Sequence, residues 1–156
     1  MSANDNPELE NQIQDNDVSF HCKDSGFTIK TLLEHNKNGK IIYREDLNWS
    51  VTKQSKFIES VLCGITVSNI YVQWIDLDVI IIDGSQRLQS LFNYAENNLK
   101  LSSLENLTML NGKDYNYLTE SIKRMFLRTF IEWKEVHEMT NWKERSRLYT
   151  FVNYKE

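Results

Sequence analysis

The passage from Val79-Ile80-Ile81-Ile82 through Asp83-Gly84-Ser85 into Gln86-Arg87-Leu88 constrains the fold more than any other part of this sequence. Consecutive β-branched residues suit a strand buried on both faces, because such strands read as continuous apolar runs rather than alternating ones. From Gln86 the period changes: Leu88, Leu91, Phe92 and Ala95 recur at the i, i+3, i+4, i+7 spacing of an amphipathic helix ending about Glu96. A chain of 156 residues has room for one domain around this strand–turn–helix unit. With 40% hydrophobic and 12% aromatic residues it has the material for a core.

The segment from Met1 to Asp17 is acidic and polar, holds the one proline, Pro7, and has apolar residues only at isolated positions, which predicts a disordered tail before a folded region over 18–156. Phe27, Ile29, Leu32 and Leu33 predict a short helix stopped at Gly39. Ile41-Ile42-Tyr43 reads as a strand. Ser50 or Thr52 can cap a helix from about Thr52 to Cys63, with Phe57, Ile58, Val61 and Leu62 on one face. Ile70 to Trp74 is a second strand next to Val79–Ile82. Farther on come Leu99-Lys100-Leu101, an Asn111-Gly112 turn, a helix around Glu120–Phe126, a strand around Thr129–Glu135 and a final helix from about Thr140.

Composition narrows the function classes. The net charge of −4 repels a nucleic-acid backbone, so DNA contact needs a local basic patch. Lys123, Arg124 and Arg128, then Lys143, Arg145 and Arg147, are the candidates, but Glu residues stand among them and solvated helix faces are the better reading. Cys22 and Cys63 form no CxxC pair and have no histidine at metal-ligand spacing, so neither a disulfide framework nor a zinc site is predicted. Cys63 is expected in the core, at the end of an apolar helix face. His21, His35 and His137 are scattered and read as ordinary surface histidines. No apolar run approaches membrane-spanning length, and a cytoplasmic, soluble protein with no membrane contact is expected.

The chemistry of the junction follows from its geometry. A buried strand ending in Asp-Gly and followed at once by a helix brings backbone N–H groups and the positive end of the helix dipole to one spot, which favours an anion. Gly84 permits the tight turn, and Ser85 can act as N-cap or as a phosphate donor. Arg87 offers a forked guanidinium to phosphate oxygens, and Asp83 can hold a divalent cation or orient a water. The plainer alternative stays open: Asp-Gly is a common turn, Ser caps many helices, and Arg87 can simply pair with a carboxylate.

The order Trp49-Ser50, then Phe57 to Ile65, then Ile70-Tyr71-Val72, then Ile82-Asp83-Gly84-Ser85-Gln86-Arg87-Leu88-Gln89-Ser90-Leu91 resembles the N-terminal domain of GmrSD-type restriction enzymes, whose hallmark is Asp-Gly-Gln-Gln-Arg-Leu. The similarity continues through Leu99-Lys100-Leu101 and Leu110-Asn111-Gly112-Lys113 and covers roughly Ile41 to Tyr154. The resemblance implies an α+β, ParB/sulfiredoxin-like domain with a small mixed sheet packed with helices. It also implies that the motif binds and hydrolyses a nucleoside triphosphate with Mg in a phage-defence restriction system. On that basis Asp83, Gln86 and Arg87 are the expected catalytic residues. Gly84, Ser85, Arg87, Arg44 and Trp49 are the expected phosphate- and nucleotide-binding set, and Asp83 is the expected Mg ligand.

Several positions depart from the family pattern. Ser85 stands where the family has Gln, keeping a polar donor with a shorter reach. Arg44-Glu45 occupies the place of a usual Gln-Arg, and Ile65-Thr66-Val67-Ser68 replaces Ile-Pro-Ile-Pro, losing the rigidity of two prolines. The family usually continues past an Asn that corresponds to Asn153 into further helices and a nuclease domain. Those are expected to be lacking in a sequence that stops at Glu156, and the chain is not expected to be a nuclease by itself. Two readings follow besides ParB-like DNA binding: an NTP-binding and hydrolysing domain, or a non-catalytic protein of the phage- or mobile-element-encoded kind that joins a defence complex.

Overall fold

A computed structural model describes residues 6–16, 22–65 and 70–136. The acidic N-terminal segment contains α1 (Pro7–Asn16), whose start carries local helix signals: Asn6 Oδ1 accepts from the Leu9 amide, Pro7 takes the first helical position, and Glu8 and Glu10 complement the helix dipole. Its residues 7–13 are exposed. Next come β1 (Cys22–Thr28) and α2 (Ile29–Lys37). The helix expected to begin at Phe27 starts two residues later, since Thr28 is its N-cap, accepting from the Thr31 amide at 3.3 Å. Phe27 instead lies on β1, its ring 5.2 Å from Trp133 in an edge-on contact.

β2 (Ile41–Tyr43) follows as expected, and then α3 (Val51–Leu62), capped by Ser50, whose Oγ accepts from the Lys53 amide at 3.1 Å. Cys63 is the C-cap of α3 and is exposed rather than in the core, because the helix ends one residue before it. β3 (Ile70–Ile75) and β4 (Asp78–Asp83) form a hairpin whose tip puts Asp76 at φ 54°, and α4 (Ser85–Ala95) leaves the end of β4. A long connection with 3-10 turns at Thr108–Leu110 and Tyr115–Tyr117 leads to α5 (Glu120–Leu127) and β5 (Phe130–Val136). The helix expected from Thr140, with Trp142 and the basic set Lys143, Arg145 and Arg147, lies outside the described residues, as do His21 and His137.

The result is an α+β fold on a mixed sheet ordered β1-β5-β3-β4-β2. β1/β5 and β3/β4 pair antiparallel, while β3/β5 and β2/β4 pair parallel. One side of the sheet gives Ile70, Val72, Val79, Ile81, Ile131 and Trp133 to a core shared with Ile29 and Leu32 of α2, Ile58 of α3, and Leu88 and Leu91 of α4. Ile80 and Ile82, at the alternate positions of β4, are only 5% and 2% exposed, so the run Val79–Ile82 is buried on both faces. His35 packs its ring against Phe27 and hydrogen-bonds the Thr31 carbonyl.

A polar seam ties the long connection to α3. Ser55 Oγ donates to the Val51 carbonyl and accepts from the Ser102 amide at 3.0 Å. One turn on, the buried Glu59 carboxylate accepts from the amides of Asn106 and Leu107, at 3.0 and 2.9 Å. Those bonds, the Leu107 amide first, hold the Glu59 carboxyl below its usual value against the opposing effect of burial. A carboxyl whose pKa is lower in the folded chain stabilises it above the unfolded pKa, and that contribution disappears as pH falls through the folded value. Glu59→Gln should therefore lower the melting temperature at neutral pH, with the gap to wild type narrowing as pH drops below about 4.5. Thermal unfolding followed across pH 3–8 checks this, and a gap independent of pH would contradict it.

Candidate functional site

The parallel pairing of β2 with β4 brings the carboxyl ends of both strands to one edge of the sheet, Tyr43 standing opposite Ile81. β3 begins at the same edge, with Tyr71 opposite Asp83. Arg44, which follows β2, and the turn that follows β4 therefore emerge together. In open α/β sheets this is where ligands gather. The unbroken aliphatic strand carries Asp83 to the edge, and Gly84 reverses the chain into α4.

Gly84 adopts φ +105° and is buried. A Cβ at this position would lie 2.8 Å from Cγ1 of Ile70 on the adjacent strand, so two constraints select glycine here: the left-handed backbone and the close approach. Gly84 is also the N-cap of α4, with no side chain capping the helix, and the first intrahelical bond runs from the Leu88 amide to its carbonyl. Ser85 is thus not the N-cap but the first residue inside the helix, 4% exposed.

Asp83 and Arg87 face each other across the turn. Arg87 Nη2 donates to Asp83 Oδ2 at 3.0 Å, and the side chains are 15% and 13% exposed for Arg87 and Asp83 respectively. This pair is half-buried, so an approaching anion or cation must compete with it rather than with bulk water alone.

Gln86, 8% exposed, points its amide into the loop that joins β2 to α3. Its Oε1 accepts from the amides of Asn48 and Trp49, at 2.8 and 3.1 Å, and its Nε2 donates to the Asp46 carbonyl at 2.8 Å. Gln89, one turn along α4, donates to the Glu45 carbonyl at 3.0 Å. Gln54 of α3 donates to the Trp49 carbonyl at 2.9 Å and accepts from Asn93 of α4 at 3.0 Å. Trp49 is half-buried, edge-on to Phe57 at 5.9 Å, with Lys53 Nζ 4.6 Å above its ring. Arg44 is exposed at the start of this loop.

The structure therefore brings Asp83, Gly84, Ser85, Gln86 and Arg87 into one turn and bonds the loop bearing Arg44 and Trp49 against it. Gln54, Gln89 and Asn93 were not foreseen as part of the arrangement. A signal for two of them existed, since Gln86, Gln89 and Asn93 lie at i, i+3, i+7, a polar stripe on a helix whose Leu88, Leu91 and Phe92 are buried. A separate surface cavity at the far end of α3, lined by Val61, Leu62, Ile65, Met125, Phe126 and Phe130 among others, is mostly apolar, and none of the described residues that line it is cationic.

Among the described residues no cluster of three or more His, Cys, Asp or Glu side chains could hold a metal ion by itself. Asp83 offers a single carboxylate. That suits Mg, which is commonly held by one or two carboxylates together with the phosphates of its substrate.

Replacing Gly84 by Ala should destabilise the fold by about 1–3 kcal/mol through backbone strain alone, and further through displacement of Ile70. Gly39→Ala is the control: φ there is +69°, but no atom lies within 4 Å of the added Cβ. Urea unfolding of both variants checks this, and equal losses would show that the contact with Ile70 is without consequence.

No helix among the described residues is long and apolar enough to cross a membrane. No curated protein and no solved structure matches the chain. A family profile described as GmrSD restriction endonuclease, N-terminal domain, matches residues 29–156, which takes in the sheet from α2 onward, the clamped loop and the whole Asp83–Arg87 turn. The α+β architecture is consistent with the ParB/sulfiredoxin-like fold expected of such a domain. With most of its length matched, the chain belongs to the family of GmrSD restriction endonuclease N-terminal domains.

Proposed function

We propose that the Asp83–Arg87 turn binds the phosphates of a nucleoside triphosphate with Mg, as the nucleotide-binding part of a restriction system. The observation that carries this reading is the start of α4: a helix N-terminus without a side-chain cap, turned by a glycine at φ +105°, with a carboxylate and a guanidinium paired at its mouth. Such a terminus attracts anionic oxygens through its first-turn amides and its dipole. An incoming phosphate offers Arg87 a bidentate acceptor in place of Asp83. The carboxylate so released is a hard oxygen donor for Mg. Binding is then an exchange of partners in which neither half-buried charge is left alone, avoiding the cost of stranding one of them.

Mg, when bound, would supply charge neutralisation at the phosphate oxygens. The protein's own groups contribute position and fixed charge: Arg87 on the oxygens, Asp83 on the cation side, and the α4 amides beneath. Where hydrolysis occurs, Asp83 and Arg87 are its proposed catalytic groups.

A second reading, binding without turnover as part of a defence complex, is favoured by one observation. The Gln86 amide already holds the 46–49 segment by three hydrogen bonds, so it is committed to the protein rather than to a water or a phosphate. Parallel measurement of phosphate release separates the two readings. ParB-like DNA binding is the weakest, given the net charge of −4.

Calorimetric titration with ATP and GTP, with and without Mg, tests the proposal. Wild type should bind at least one of them. Loss of the charge-assisted bonds in Arg87→Ala should weaken binding by about 10- to 100-fold. Asp83→Ala should remove most of the Mg dependence while sparing binding in its absence. Equal affinity of wild type and Arg87→Ala for every nucleotide tested would rule the site out.

A further inference from the structure

We infer that Gln86 is a positioning residue: it fixes the backbone of the β2–α3 loop against the start of α4 and so sets where Arg44 and Trp49 stand relative to the turn. The inference rests on the nucleotide reading for its ligand, but the loop contact itself is a separate observation. All the bonds Gln86 makes to the loop go to main-chain atoms, the Asp46 carbonyl and the amides of Asn48 and Trp49. The supporting bonds do the same, Gln89 to the Glu45 carbonyl and Gln54 to the Trp49 carbonyl. The clamp thus fixes the course of the loop without using any loop side chain. The loop begins where β2 emerges beside β4 and ends at Ser50, the N-cap of α3, and Gln86 makes three of the hydrogen bonds that hold it, at Asp46, Asn48 and Trp49.

The chemistry selects glutamine. The position demands, from one neutral side-chain end, an oxygen that accepts two amides and a nitrogen that donates to a carbonyl. Glutamate keeps the acceptors but sets a carboxylate against the Asp46 carbonyl. Asparagine is a methylene short, and methionine fills the space without bonds. Burial at 8% exposure makes each lost partner costly, because the freed loop amides are left without the acceptor they had. In this account Gln86 influences a bound nucleotide only through the loop, whereas Asp83 and Arg87 act on it directly.

The test uses the full chain, with Mg-loaded non-hydrolysable analogues of ATP and GTP as probes, and has two arms. In the first, hydrogen exchange is read at the amides of Asn48 and Trp49. Gln86→Met should speed it by about 10-fold or more, Gln86→Glu should change it far less because an oxygen that accepts both amides remains, and the amides of Asn106 and Leu107 should stay as in wild type and report an intact fold. In the second arm, Gln86→Met is made in wild type and in an Arg44→Ala/Trp49→Ala background. It should weaken probe binding by about 10-fold in the former and hardly at all in the latter, the non-additivity expected of a residue that acts through others. Equal losses in both backgrounds would put Gln86 on the ligand and overturn the inference, as would unchanged exchange at Asn48 and Trp49 in Gln86→Met. If wild type binds neither probe, the nucleotide reading fails, and the exchange arm alone decides whether Gln86 holds the loop.

Discussion

The placement of α4 depends on the absence of a side chain at residue 84. Ile70, the first residue of β3, stands where a Cβ at that position would fall, and the turn takes a backbone conformation that glycine alone adopts without strain. This lets the helix start directly above the sheet edge. From that start Leu88 and Leu91 reach the core, Gln86 reaches the loop before α3, and Asp83 and Arg87 meet across the turn. A helix displaced by even one ångström would break contacts of all three kinds, since close-packed interiors and hydrogen bonds tolerate little displacement.

Two kinds of force then divide the work. Burial of aliphatic side chains on both faces of β4 holds the sheet, and it is indifferent to direction. Hydrogen bonds from buried polar side chains to main-chain atoms supply the direction: Gln86 and Gln54 for the loop after β2, Ser55 and Glu59 for the connection after α4. The irregular segments flanking the motif are therefore ordered from the helices beneath them. A site whose outer parts are loops gains its geometry from α3 and α4.

Much of this was legible in the sequence wherever the signal is local. The aliphatic run of β4, the change of period into α4, the Ser50 cap and the short β2 follow from neighbouring residues and lie close to where they were expected. β1 is not legible because its string Cys22-Lys23-Asp24-Ser25-Gly26-Phe27-Thr28 has no strand periodicity. It is a strand through pairing with β5, more than a hundred residues away in the chain. Phe27 reads as part of α2 for the same reason: its burial partners, Trp74 and Trp133, are not sequence neighbours.

At the site, the motif's position and the turn at Gly84 are readable from the sequence, whereas of the two roles open to Ser85, N-cap or phosphate donor, the first falls to Gly84, one residue earlier. The engagement of Gln86 was invisible, its partners lying 37 to 40 positions earlier in an irregular loop. Nothing in local spacing distinguishes a glutamine that faces a ligand from one that faces the backbone of its own chain.

The central claim is that the first turn of α4 receives phosphate. Nitrogen-edited NMR of the full chain during titration with Mg–ATP and Mg–GTP reads it most directly, through the amides of Gly84, Ser85, Gln86 and Arg87. The account predicts that with at least one nucleotide these amides shift most and saturate together. Shifts centred on any other part of the fold, or none with either nucleotide, would contradict it.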